Sequence, residues 1–226
     1  MRIGGLQKLS LIDFPGHLAA VVFTQGCPWR CSYCHNPALV LPECFGPLMD
    51  EAEVWAFLEA RRGKLDGVVI TGGEPTLQPD LAGFIKKARA LGYAVKLDSN
   101  GNFPDRLGPL LEARAVDYVA MDLKADFAHY AEVAGAPVNT EALRRSMELI
   151  RASGIPYEFR TTVVPQLPVD VAAIAKMLRP GERYFLQAFK ATEGVPNKAL
   201  SVTVDPAQQA AMLKALEPFG LAVAWR

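Results

Sequence analysis

The sequence predicts an α/β fold of parallel strands with outer helices, and three observations predict it. Short runs of β-branched and apolar residues alternate with helical patterns along nearly the whole chain. The strand runs are apolar on both faces, as buried parallel strands require. The unusual polar residues gather where each predicted strand ends, the edge at which parallel α/β folds bind ligands.

The elements follow in order. Residues 1–18 read as a strand or hairpin segment turning at Asp13-Phe14-Pro15-Gly16, and Leu18–Thr24 as the first buried strand. Asp50 caps a helix, with Glu53 at the capping-box position and Gly63 as its stop. Gly67–Thr71 is a strand, and Pro79 opens a helix whose Leu81, Phe84, Ile85, Ala88 and Leu91 share one face. Tyr93–Leu97, Val116–Met121, Pro156–Val164 and Arg183–Ala188 are the remaining strands, separated by helices over Pro104–Ala113, Thr140–Ala152 and Val169–Leu178. Asp205 and Pro206 start a last helix, and Leu221–Trp225 is either a final strand or a packed tail. About six strand–helix units argue for right-handed crossovers, in an open doubly wound sheet or a partial barrel. With no linker or repeat, residues 1–226 read as one domain.

Composition excludes several classes of function. Lysine plus arginine equals aspartate plus glutamate, 24 each, so no excess charge invites nucleic acid or an anionic membrane. No stretch approaches the roughly 18 apolar residues of a spanning helix, and Met1–Asp13 carries no signal sequence. Clustered cysteines without an export signal fit a reducing cytoplasm.

Three of the four cysteines, Cys27, Cys31 and Cys34, lie within eight residues as Cys-x3-Cys-x2-Cys. Thiolates suit iron–sulfur clusters and zinc. Three of them would hold three corners of a four-iron cluster and leave one iron open. Zinc bound by the three thiols and His35 is the alternative, although Cys34 and His35 are neighbours that would have to bend to one ion. A disulfide would leave one of the three thiols unpaired. Cys44, ten residues past Cys34, reads as a fourth thiol nearby or, as is more common, a small buried hydrophobe.

Past the later strands come Gly72-Gly73-Glu74-Pro75, Asp98-Ser99-Asn100-Gly101 and Asp122-Leu123-Lys124, and Arg160 lies inside its strand. Two glycines let backbone approach a ligand closely, and carbonyls there with Glu74 would receive an ammonium group. A plain strand-to-helix turn is the other reading. Lys124 suits a carboxylate as a compact charge, or makes a structural salt bridge with an aspartate. Arg160 serves a ligand from inside a barrel or sits on an edge strand.

The cysteine spacing, with Tyr33 before its last thiol, resembles the signature of the radical S-adenosylmethionine (SAM) superfamily. The Gly72-Gly73-Glu74 segment is similar to that family's GGE motif. The Asp98-Ser99 and Asp122-x-Lys124 segments resemble motifs of glycyl-radical-enzyme activases. With Gly5-Leu6-Gln7-Lys8, Asp13–Gly16 and Cys34-His35-Asn36-Pro37, nearly the whole chain resembles the anaerobic ribonucleoside-triphosphate reductase activating protein family.

The resemblance implies a partial (β/α)6 barrel. It implies a [4Fe–4S] cluster on Cys27, Cys31 and Cys34 that cleaves SAM to a 5′-deoxyadenosyl radical, which then takes hydrogen from a glycine of a partner enzyme. It places Tyr33, His35, Gly72, Gly73, Glu74, Ser99 and Lys124 at the cofactor, where Arg160 joins them if it faces the barrel interior, and a monovalent cation beside it on Asp98 and Asp122. The implied partners are a glycyl radical enzyme, with anaerobic ribonucleoside-triphosphate reductase first and a pyruvate formate-lyase type second, and an electron donor such as flavodoxin or ferredoxin. The family's last-strand histidine has no counterpart in Gln187-Ala188-Phe189-Lys190. The competing readings are a radical SAM enzyme acting on a small molecule and a non-catalytic iron–sulfur electron carrier.

Overall fold

The computed structural model describes residues 1–226. Eight strands form one sheet in sequence order: β1 (Ile3–Ser10), β2 (Ala19–Thr24), β3 (Gly67–Gly72), β4 (Ala94–Ser99), β5 (Tyr118–Asp122), β6 (Tyr157–Val163), β7 (Arg183–Ala188) and β8 (Ala222–Trp225). β1 is antiparallel to β2, and every later pairing is parallel. β1 and β8 do not pair with each other, so the sheet is a partial barrel with a lateral slot. The Leu221–Trp225 segment is therefore a strand, in register with β7 from Arg183↔Ala222 to Leu186↔Trp225.

The helices are α1 (Pro37–Val40), α2 (Glu51–Ala60), α3 (Leu81–Ala90), α4 (Pro104–Glu112), α5 (Tyr130–Ala134), α6 (Thr140–Ala152), α7 (Val171–Ala175) and α8 (Pro206–Leu216). Asp50 caps α2 through the Ala52 amide, and Glu53 makes no return bond. The helix expected from Pro79 begins two residues later. A 3-10 turn over Pro75–Leu77 comes first, and Asp80, at the N-cap, gives its carboxylate to the Met1 ammonium at 2.5 Å rather than to the helix. Asp205 and Gln208 form a complete capping box on α8.

Alternation along each strand sorts the side chains into two sets. Val22, Ile70, Leu97, Val119, Met121, Phe159 and Tyr184 face outward into the main core under the helices. The opposite set fills the barrel, and its register runs Val21↔Val69↔Lys96, then Asp98↔Ala120↔Glu158, then Asp122↔Arg160↔Phe185. The lower end is apolar. Phe14 packs there with Ala19, Val21, Val69 and Tyr118, so that a Cβ at Gly67 would lie 2.8 Å from its ring. Burying such a side chain contributes roughly 1.5–3 kcal/mol. The turn predicted at Asp13–Gly16 thus also delivers the barrel's plug. Above it the interior turns polar, and at the strand C-termini it opens.

Candidate active site

The cysteine loop leaves β2 at the open end and is tied down on four sides. Gly26 donates to the Leu39 carbonyl, Glu74 to the Gly26 carbonyl, Arg30 to the Ala134 carbonyl and Asn197 to the Ser32 carbonyl, all at 2.7–3.0 Å. Backbone anchors leave the thiols free: none of the four cysteines is in a disulfide, and Cys27, Cys31 and Cys34 are half-buried. Cys44 is exposed, not the buried residue expected of it. Burial pushes the Cys27 thiol up to about 12, against a backbone hydrogen bond from Trp29 that pulls it down. Burial also raises Cys31, opposed by Lys124.

All thirteen residues singled out from the sequence as cofactor or cluster contacts line one cavity of about 840 Å³ at this end of the barrel. That is room for a nucleoside-sized ligand. The thirteen residues come from five segments: the loop after β2, the C-terminal ends of β3, β4 and β5 with the residues just beyond them, and β6 itself.

The two glycines serve a purpose beyond the one expected. Gly72 has φ +112°, and a Cβ there would lie 2.4 Å from the Thr24 nitrogen. A Cβ at Gly73 would lie 2.2 Å from the Gly26 carbonyl oxygen. Their first constraint is contact with the root of the cysteine loop; the bare backbone they leave at the cavity follows from it.

Glu74 also differs from expectation. Its carboxylate is buried and turned into the protein, accepting from the Thr76 amide at 3.0 Å, the Thr76 hydroxyl, the Ser99 hydroxyl at 2.9 Å and the Asn100 amide at 2.7 Å. Burial raises its pKa, and these donors offset part of the rise. Four bonds to its own chain leave the carboxylate little capacity for a ligand. Glu74 instead clamps the end of β3 to the end of β4.

Arg160 lies inside the barrel, not on an edge. Its Nη1 donates to Asp98 Oδ2 at 3.0 Å and its Nε to Asp122 Oδ1 at 2.9 Å. Lys124 donates to Asp122 Oδ2 at 3.0 Å. Burial would raise the Asp122 pKa, but Arg160 and Lys124 outweigh it and hold the carboxyl well below the usual range. Lys124 is shifted upward, chiefly by Asp122 against the cost of burial. A further cation, Lys96, was not anticipated; it is 1% exposed and its Nζ lies 2.5 Å from Asp98 Oδ1. The signal for it was a lone lysine at an inward position, two residues before Asp98. Lys96, Arg160 and Lys124 thus pair with every oxygen of Asp98 and Asp122 in one buried network, of which Asp98, Asp122, Lys124 and Arg160 line the cavity.

The structure also bears on a bound cluster and cofactor. Two buried donors on the cysteine loop, Trp29 Nε1 and the Tyr33 hydroxyl, have no hydrogen-bond partner. Both residues line the cavity, beside three soft thiols and the cations Lys124 and Arg160. This donor set fits an iron–sulfur cluster with a zwitterionic ligand at its side. His35 instead turns its Nε2 to the Lys190 carbonyl at 3.0 Å and packs on Phe189. No three His, Cys, Asp or Glu donors are drawn together as a single metal ion requires.

Comparison with known proteins adds family to geometry. The radical SAM superfamily profile matches residues 21–178. A Methanocaldococcus jannaschii protein, provisionally named as a glycyl-radical enzyme activating enzyme, is 33% identical over 195 residues, covering 83% of this chain and 80% of its own. The pyruvate formate-lyase-activating enzyme of Listeria monocytogenes is 28% identical over 236 residues, covering 85% and 91%. Among solved structures, QueE from Escherichia coli superposes with a TM-score of 0.59 at 16% identity, covering 99% of this chain and 92% of its own. At that identity the likeness concerns the fold alone.

Proposed function

The chain belongs to the radical SAM superfamily, and from that premise we propose that it is a glycyl-radical-enzyme activase. A [4Fe–4S] cluster on Cys27, Cys31 and Cys34, with SAM, would supply reductive cleavage of the sulfonium and so the abstraction of hydrogen from a partner's glycine. The protein supplies position and charge. Lys124 and Arg160 are the cavity-lining cations beside the thiols that suit the cofactor's carboxylate. The backbone at Gly72 and Gly73 takes its ammonium group, and Glu74 holds that backbone in place through Asn100 and Ser99. Tyr33 and Trp29 close the wall beside the thiols, with Lys124 Nζ 6.0 Å from the Tyr33 ring.

The observation that carries this reading is the convergence of the thiols, the glycine pair and the Asp98–Arg160–Asp122–Lys124 chain on one cavity. Anaerobic ribonucleoside-triphosphate reductase is the partner favoured by the opening segment and the Cys34-His35-Asn36-Pro37 ending. A pyruvate formate-lyase type is the second reading, favoured by the Listeria relative. A flavodoxin or ferredoxin would deliver the electron in a reducing cytoplasm; no helix here is long and apolar enough to cross a membrane.

The test is anaerobic. Protein with a reconstituted, reduced cluster is given SAM, with and without each partner, and assayed for 5′-deoxyadenosine and for a glycyl radical by electron paramagnetic resonance. A radical on one partner establishes the activase and names that partner. Cleavage without a radical on either partner transfers the reading to a small-molecule substrate. No cleavage by protein with an intact cluster overturns the enzyme reading in favour of electron transfer.

A further inference from the structure

The two aspartates that the family resemblance assigns to a monovalent cation have no oxygen free of positive charge. Asp98 Oδ1 faces Lys96 Nζ at 2.5 Å and its Oδ2 faces Arg160 Nη1 at 3.0 Å. Asp122 Oδ1 faces Arg160 Nε at 2.9 Å and its Oδ2 faces Lys124 Nζ at 3.0 Å. A potassium or sodium ion placed on these carboxylates would stand beside three fixed cations that already pair with all four of their oxygens. The residues present do not fit that ion.

Lys96 explains why. Lysine is seldom buried, because taking its charge out of water is costly unless an anion accompanies it. Here the ammonium is 1% exposed beneath Asp98 and makes one hydrogen bond, to that aspartate. Its register neighbours are Val69 on β3 and Tyr118 on β5, whose hydroxyl donates to Glu158. An ammonium is a compact point charge with donors on a tether. It does electrostatically what a bound monovalent ion would do, and it cannot diffuse away.

We propose that Lys96 is a built-in counter-ion standing where a free monovalent cation would otherwise sit, so that this chain engages its cofactor without potassium or sodium. The proposal rests on the reading of Asp98 and Asp122 as neighbours of the cofactor, and one arm of its test is independent of that reading.

That arm uses protein without cluster or cofactor. Binding of thallium(I), a potassium mimic, is followed by ²⁰⁵Tl resonance, and the thermal midpoint is compared in potassium chloride and tetramethylammonium chloride at equal ionic strength. The expected result for the natural protein is no saturable thallium binding and no difference between the salts. The second arm measures SAM affinity of the cluster-loaded protein in the same two salts, with values expected to agree within about twofold. In Lys96→Met, thallium binding and a potassium-dependent midpoint should appear. Its SAM affinity should fall at least about tenfold in tetramethylammonium, the scale of one charged hydrogen bond, and recover in potassium or methylammonium.

Saturable thallium binding to the natural protein that is lost in Asp98→Asn overturns the proposal. So does a Lys96→Met protein that folds and gains no cation response. If Lys96→Met does not fold, the natural protein's two arms decide. Failure to bind SAM at all, with the thallium arm as expected, counts against the activase reading and leaves the counter-ion in place.

Discussion

Gly73 lies directly against Gly26: a Cβ on the first would come within 2.2 Å of the carbonyl oxygen of the second. This contact joins the end of β3 to the base of the cysteine loop and fixes where the thiols stand. Gly73→Ala is expected to displace that loop at a cost of roughly 1–3 kcal/mol, the usual range for overpacking. Iron per chain after reconstitution should fall well below that of the natural protein. Gly83, in α3 with nothing within 4 Å of its would-be Cβ, is the control. Gly83→Ala should gain about 0.5–1 kcal/mol with unchanged iron content. Urea midpoints and iron assays read both.

Arg160 neutralises two carboxylates at once. Arg160→Leu should cost about 3–5 kcal/mol, because it strands buried charge rather than merely deleting a bond. SAM affinity should drop at least about tenfold. Arg160→Lys, which cannot span both partners with a fork, should recover stability only in part. Chemical denaturation and equilibrium dialysis would separate the two effects. An unchanged affinity in a folded Arg160→Leu protein contradicts the placement of this residue at the cofactor.

Asp122 makes stability depend on acid in a definite direction. Its folded pKa lies below the unfolded value of about 3.9, so its contribution is complete above that pH and is lost as pH falls through the folded value. Glu74 acts oppositely. Its pKa is raised by burial, so the stability it lends is complete below about 4.3 and is lost as pH rises through its folded value. The difference in unfolding free energy between the natural protein and Asp122→Asn removes the Glu74 part. That difference should be flat from neutral pH down to about 5 and shrink below about 4. A difference that grows on acidification rules out the paired carboxylate.

Cys44 is exposed, on the 3-10 turn Pro42–Cys44, and does not line the cavity. Cys44→Ser should keep full iron content and the visible absorption of the loaded protein, whereas Cys31→Ala should lose most of both. Equal losses would make Cys44 a fourth ligand.

Much of this site was legible because chemistry and topology coincide: each motif follows a strand, and parallel strands bring their ends together. Arg183–Ala188 and Thr140–Ala152 are found where apolar periodicity placed them, since no neighbour overrides it. What escaped notice depends on partners distant in sequence. Lys96 passes for an ordinary residue of an apolar strand until Asp98 and Arg160 are seen around it. Buried Glu158 is matched by Arg226, 68 residues away, with Tyr118 donating to the same carboxylate. The glycines at 72 and 73 announce a close approach but not what approaches, and Glu74 advertises a ligand contact while its bonds run inward. Gly135, whose Cβ would meet the Arg30 carbonyl oxygen at 2.3 Å, carries no motif at all.

The anchors of the cysteine loop also set an order of events during synthesis. His35 meets the Lys190 carbonyl 155 residues further along the chain, Ser32 meets Asn197, and Tyr33 packs on Phe189, Val195 and Leu200. A nascent chain therefore exposes its thiols long before the segment that covers them has been made, an interval of roughly 10–30 s at ordinary translation rates. During that time the three cysteines are open to oxygen, stray metals and one another. A cluster inserted before that segment is made would sit in an unsheltered loop, and a truncation before residue 189 should leave the loop unsheltered however complete the strands beneath it.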